Sequence, residues 1–209
     1  MKDMIIVGAG SAARDVLQVL KEINKVEQKW RIKGFIADYG VDIKELTDGE
    51  YDIIGTIEDW QPNDNEEFVC AVADPDIKKK LIDKLEKKGA VFAQVIHPNV
   101  EINDYCKIGK GVILYHDAIV GPNSEVGDYV HTNSKIGHDC KIGAYSTISI
   151  MCAVMGHVTM GDRVFVGGGA TIVPGVTIGS QVYVGAGSVV IKDIENNKRV
   201  FGNPAREMR

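Results

Sequence analysis

His138 followed at once by Asp139 is the pair of residues in this chain best suited to moving a proton. Imidazole changes charge near neutral pH, and a neighbouring carboxylate can fix its tautomer and orientation. The chain holds five histidines (His97, His116, His131, His138 and His157), and each alone would be read as a surface side chain. What distinguishes His138 is its register in a repeat. Adding eighteen residues to its position gives Gly156, then Pro174, then Lys192. If eighteen residues make one coil, these positions form a track with steps of about 4.8 Å. Gly156 would stand beside the histidine and offer a backbone N–H with no side chain in the way. Such an amide can polarise a thioester carbonyl or hold an oxyanion. Lys192, roughly 14 Å along the track, is placed to meet a distal phosphate. A long, thin cofactor running from Lys192 to His138 would suit coenzyme A.

The coil length comes from the spacing of apolar residues. Ile136, Ile142, Ile148, Val154, Met160, Val166, Ile172, Ile178, Val184 and Val190 stand six apart without a break. Four places after each come small or β-branched residues, Cys140, Ser146 and Cys152 among them. A period of six fits neither a helix nor a two-sided strand. It fits a hexapeptide parallel β-helix, in which three short strands close one coil. An earlier ladder runs through Ile96, Ile102, Ile108, Leu114, Val120 and Val126. From Val126 to Ile136 is ten residues where two whole repeats need twelve, so two are missing around His131–Lys135. His131 and Asn133 at this break are read either as substrate contacts or as groups that satisfy a shortened turn. After Ile194 the pattern stops, and the remaining residues are expected to cap the open end or cross to a neighbour.

The N-terminal stretch has another rhythm. Apolar runs at 3–7, 31–38, within 51–60 and at 66–74 read as strands. Helical patterns fall between Val16 and Ile23 and from Pro75 to Gly89, while 39–50 reads as loop. Alternating strands and helices imply a small parallel α/β layer, Rossmann-like in character. GAGSAAR, between the first strand and the first helix, brings Gly8, Gly10 and Ser11 to a turn where backbone can approach a phosphate. Asp38, closing the second strand, is placed to meet a ribose or base. The layer is about half a dinucleotide-binding fold, so one nucleotide, such as the UDP of an activated sugar, fits better than NAD. The expected division is residues 1–92 and 93–209.

Composition narrows the classes. The net charge of −5 suggests no nucleic-acid surface, and no stretch reaches the length of a membrane span. The four cysteines show no metal-ligand spacing, and no metal is expected. Three of them (Cys106, Cys140 and Cys152) fall on the small-residue phase, as buried packing residues. Cytoplasm is the expected compartment.

The segments GAGSAARDV, GFIAD, IHPNVEI, VGDYVHTNS, IGHDCKIGAYSTIS and VFGNPAR together resemble the bacterial sugar acetyltransferase family. That family includes sialic acid O-acetyltransferases and UDP-4-amino-sugar N-acetyltransferases of glycan biosynthesis. The resemblance implies a left-handed β-helix, a homotrimer, and acetyl-CoA in the groove between neighbours. It implies that His138 is the base, that Asp139 orients it, and that the Gly156 amide holds the acetyl carbonyl. Thr147, Gly156, Ala186 and Lys192 take positions that contact the cofactor. Gly8, Gly10, Ser11, Asp38 and Asn133 fall on substrate-binding segments. The expected reaction is acetyl transfer to the amine of a UDP-linked amino sugar. A sugar hydroxyl as acceptor is the first alternative, and a non-catalytic, nucleotide-binding trimeric scaffold the second.

Overall fold

The computed structural model describes residues 1–39 and 41–208. The chain divides into two compact units, Met1–Pro98 and Asn99–Arg209. The sequence reading had put the division after residue 92.

The first unit is a four-stranded parallel sheet with β1 (Lys2–Val7), β2 (Trp30–Ile36), β3 (Ile53–Gly55) and β4 (Glu66–Cys70), in the order β3-β2-β1-β4. Met4, Ile5, Ile6 and Val7 are all fully buried. That is why β1 reads as an unbroken apolar run: a central parallel strand is covered on both faces. Helix α1 (Ser11–Val26) buries Ala13, Val16, Leu17, Val19, Leu20 and Ile23 along one side. A second helix, α2 (Ile43–Leu46), stands inside the stretch expected to be loop, and the Asp42 side chain caps it by accepting from Glu45 N–H. Helix α3 (Pro75–Glu86) starts at Asp74, whose carboxylate accepts from the Asp76 and Ile77 amides.

Arg31 clamps Asp3 at the start of β1, with Nε and Nη2 donating to the two carboxylate oxygens at 2.5 and 2.8 Å. These bonds hold the Asp3 carboxyl below the usual carboxylate range, against an opposing push from burial. A depressed folded-state pKa adds stability that is complete above the unfolded carboxylate's range and vanishes as pH falls through the folded value. The Asp3→Asn variant should therefore melt below wild type at pH 6, and the two melting curves should converge below about pH 4. Thermal circular dichroism across that range reads the effect.

The second unit is a left-handed parallel β-helix. One sheet stacks 107–108, 125–126, 141–142, 159–160 and 177–178. A second stacks 101–102, 119–120, 135–136, 153–154, 171–172 and 189–190. The third runs from 113–114 through 131–132, 147–148, 165–166 and 183–184 to Arg199–Phe201. Every member of the ladder from Ile136 to Val190 is at most 3 % exposed. Ile102 is 39 % exposed because its strand is the outermost of its sheet. Cys140 and Cys152 are buried, as expected, while Cys106 is only half-buried. Burial raises the Cys140 and Cys152 thiols above their ordinary range.

The corners have their own period. Tyr105, Asp117, Asn123, Tyr129, Asp139, Tyr145, Met151, His157, Arg163 and Gln181 all have φ between 56° and 64°, and Gly111, Gly169, Gly175 and Gly187 fill the same left-handed slot. From Tyr105 to Gly187 the slot recurs every six residues except between Tyr129 and Asp139. There the chain passes from His131–Thr132 to Lys135–Ile136 through Asn133 and Ser134 alone. Thr132 Oγ1 accepts from Ser134 N–H, and Ser134 Oγ donates to Ser149 O and accepts from Cys152 N–H. The Thr132 hydroxyl thus satisfies an amide of the shortened corner, and the Ser134 hydroxyl ties that corner to the backbone of the next coil.

Candidate active site

His138 and Asp139 lie at the corner that joins Lys135–Ile136 to Lys141–Ile142. His138 Nδ1 is 2.7 Å from Asp139 Oδ2. An ionised carboxylate only accepts, so Nδ1 carries the proton and Nε2 is left with its lone pair. The His138 hydrogen bond is the main cause holding the Asp139 carboxyl below its usual range. Burial opposes it, and Asn123 Nδ2, donating to Oδ1 at 3.4 Å, assists.

The register places Val154 beside Ile136, so Gly156 stacks on His138. The imidazole lies directly over it. A Cβ at Gly156 would meet His138 Nε2 at 2.5 Å, Cε1 at 2.6 Å and Cδ2 at 3.0 Å. Gly156 is buried beneath the ring rather than open beside it as the sequence reading pictured. Among the described residues its N–H has no hydrogen-bond partner. Beneath the corner, Ser124 Oγ donates to Gly137 O at 2.8 Å and accepts from Cys140 N–H at 3.0 Å. Ser124 is fully buried and brackets the His138–Asp139 pair, a support the sequence reading missed. Replacing it by alanine leaves a buried carbonyl and amide unpaired. Ser124→Ala should cost about 1–3 kcal/mol, read by denaturant unfolding beside wild type.

The same register carries the track on through Pro174 to Lys192. Lys192 borders a cavity of about 340 Å³ with Asp193, Lys198 and Arg206. The other expected contacts do not reach this corner within the chain. Asn133 stands at the opposite end of Lys135–Ile136, and Thr147 is buried on the third sheet. Ala186 is exposed at the corner between 183–184 and 189–190. His157, the residue after Gly156, does join the corner, with Nε2 3.9 Å from Asp139 Oδ2. Single ligand atoms of His138, Asp139 and His157 lie within 4.8 Å of one another, a gathering of metal-capable groups that sequence spacing did not suggest.

In the first unit, Gly8, Gly10, Ser11 and Asp38 come together around a cavity of about 370 Å³. Its walls are otherwise apolar, with Ala71, Val72, Ile77 and Leu81 on one side and Ala37, Val41 and Ile57 on the other. Gly8 has φ +101°, and a Cβ there would sit 3.0 Å from Val72, so the turn requires glycine. Gly10 precedes the first turn of α1 with no side-chain cap on that helix end. Asp38 is partly engaged by the fold itself. Its Oδ1 accepts from the Ile57 and Glu58 amides at 2.9 and 3.3 Å.

Comparison with known proteins agrees with both halves of this picture. Residues 3–85 match the PglD N-terminal domain, and residues 153–192 match the bacterial transferase hexapeptide (six repeats). A GDP-perosamine N-acetyltransferase from Escherichia coli O157:H7 is 30 % identical over 217 aligned residues, covering 98 % of this chain and 95 % of that protein. The chain belongs to the bacterial sugar acetyltransferases.

Solved structures related to this acetyltransferase share its architecture from end to end. WeeI from Acinetobacter baumannii AYE superposes with a TM-score of 0.88 at 27 % identity, over 100 % of both chains. A mutant perosamine N-acetyltransferase from Caulobacter crescentus, in complex with CoA and GDP-perosamine, gives 0.88 at 26 % identity, over 100 % of this chain and 98 % of that one. The acetyltransferase domain of PglB from Neisseria gonorrhoeae FA1090 gives 0.89 at 24 % identity and full coverage of both, a likeness of fold. No described helix of the acetyltransferase is long and apolar enough to cross a membrane.

Proposed function

We propose that this acetyltransferase transfers the acetyl group of acetyl-CoA to the amine of a UDP-linked 4-amino sugar in bacterial glycan biosynthesis. The observation that carries the chemistry is the His138 ring, tied at Nδ1 to Asp139 and seated over Gly156. Neutral Nε2 takes a proton from the amine as its nitrogen attacks the thioester carbonyl. The Gly156 N–H receives the developing oxyanion. Collapse of the tetrahedral intermediate expels the CoA thiolate, which recovers the proton from His138. Both substrates meet in one groove, so no acetyl-enzyme is required.

The donor is supported by the relative from Caulobacter crescentus, whose structure contains CoA. Lys192 and its cavity are suited to a distal phosphate of that donor. The sugar nucleotide is assigned to the cavity around Gly8, Ser11 and Asp38. The small size of the first unit suits a single nucleotide, and the family resemblance favours UDP. A GDP carrier is the second reading, favoured by the Escherichia coli relative named for GDP-perosamine. The working enzyme is a cytoplasmic homotrimer, in which Ala186 and Asn133 would line a groove completed by a neighbour.

Acetyl-CoA presented with UDP- and GDP-linked 4-amino sugars, and with a hydroxyl-bearing sugar, tests the reading by thiol release and product mass. The expected product withstands mild base, as an amide does. A base-labile product gives the acceptor as a hydroxyl, and turnover of the GDP form alone transfers the assignment to the second carrier. No thiol release with any acceptor, and no saturable acetyl-CoA binding by calorimetry, leaves the scaffold reading. A solution mass of one chain overturns the trimer.

A further inference from the structure

We propose that His157 is a positioning residue for the base. It holds the His138 ring from the side and, when it takes up a proton, competes for Asp139. The proposal rests on the reading of His138 as base. Three observations carry it. The two imidazoles meet edge to face, with centroids 5.0 Å apart and planes at 90°. His157 Nε2 lies 3.9 Å from Asp139 Oδ2, the same oxygen that His138 Nδ1 holds at 2.7 Å. His157 N–H donates to His138 O at 2.9 Å, so the two corners are fixed to each other through the backbone. Gly156 below the ring, Asp139 at one nitrogen and His157 at the edge together define where Nε2 points.

The placement follows from the coil. Asp139 plus eighteen is His157, and both sit in the left-handed corner slot, at φ 56° and 60°. That slot favours glycine or asparagine. Histidine is itself among the residues enriched at such φ, so what singles His157 out is the set of contacts its side chain makes. The slot tolerates aromatic rings, since Tyr105, Tyr129 and Tyr145 occupy it elsewhere in the solenoid.

The groups that face His157 are few. Asp139 and His138 stand on the preceding coil, and the following coil supplies Pro174 and Gly175, which do not titrate. Cys140 lies inside the corner, and burial keeps its thiol above the ordinary range and neutral. A protonated His157 therefore acts on two partners. It draws the carboxylate of Asp139, and it repels the imidazolium that forms at His138 during transfer. The acid side of the activity profile should then report one proton more than it does when His157 is replaced.

The test compares wild type, His157→Asn and His157→Phe in acetyl transfer from pH 5 to 9. Asparagine keeps the left-handed corner and removes the ring. Phenylalanine keeps the ring and removes the titration. For His157→Asn we expect kcat to fall about three- to tenfold with KM for acetyl-CoA unchanged, and for His157→Phe a wild-type kcat. Log kcat/KM should fall more steeply at acid pH in wild type than in both variants, the difference in limiting slope being one proton. The same limiting slope in wild type and both variants overturns the proposal. So does a His157→Asn enzyme with wild-type kcat, or a His157→Phe enzyme as slow as His157→Asn. His138→Ala is run in parallel, since its survival would overturn the base assignment rather than the contact. The His138 ring resonances in wild type and His157→Phe, followed by NMR across the same pH range, then decide the contact alone. A difference between the two titration curves supports it, and superimposable curves overturn it.

Discussion

The His138→Ala enzyme is expected to lose about 10²- to 10⁴-fold in kcat, with little change in KM for acetyl-CoA. An amine bound as its ammonium form has no lone pair. One that attacks while neutral must shed a proton as the carbon–nitrogen bond forms. Nε2 is the atom free to take it, because Nδ1 is committed to Asp139. Removing the ring leaves proximity and the Gly156 amide in place, so a residual rate survives. The loss should fall on kcat because the base matters only when the proton moves. The fold should hold. His138 is 55 % exposed and its ring covers only the backbone of Gly156, so thermal unfolding should shift by no more than about 1 kcal/mol. Thiol release at saturating substrate is the measurement, and retention of more than about a tenth of wild-type turnover would remove the base assignment.

Gly156→Ala should be nearly as damaging for a different reason. Gly156 has no positive φ, so alanine is not strained in its backbone and the effect is isolated to the added methyl. That methyl would sit 2.5 Å from Nε2, well inside contact distance, and the imidazole must swing away. The swing breaks the bond to Asp139 and moves the base from the path of the amine. The methyl also crowds the N–H assigned to the oxyanion. A displacement of this size is expected to lower kcat by about 10²-fold. The base itself is still present, so the variant should keep its general shape of pH dependence while its plateau drops. Stability should barely change, since the displaced ring is half-exposed. Wild-type turnover by Gly156→Ala would mean that the imidazole does not need its seat.

Much of this corner was legible from arithmetic. A burial period of six with coils of eighteen placed Gly156 against His138 because parallel coils stack in register. The same arithmetic, carried one residue further, sets His157 on Asp139. It was passed over because His157 has no carboxylate at its side in the chain. Ser124 was hidden by the missing pair of residues. It lies sixteen places before Cys140, whose amide it holds, so a count of eighteen walks past it. The left-handed slot escaped notice because tyrosine, methionine, arginine and histidine occupy it beside the usual asparagine and glycine. In the first unit the glycine turn was plain, but the partial engagement of Asp38 by backbone amides was not. A motif shows which residue closes a strand and says nothing of the loop that folds back on it. Helix α2 rests on one capping carboxylate in a polar run, too short for periodicity to reveal.

A parallel stack is open-ended by construction, since its last coil presents the same row of backbone groups that received the coil before it. In the sheet through Thr147 and Tyr183 that row ends differently. Arg206–Glu207 turns back and pairs antiparallel with Arg199–Phe201. Both of its residues are charged and exposed. A second molecule arriving end-on would meet a strand of the wrong direction, lined with charge. The returning strand thus gives this sheet an exposed, charged edge, a device that discourages end-on pairing.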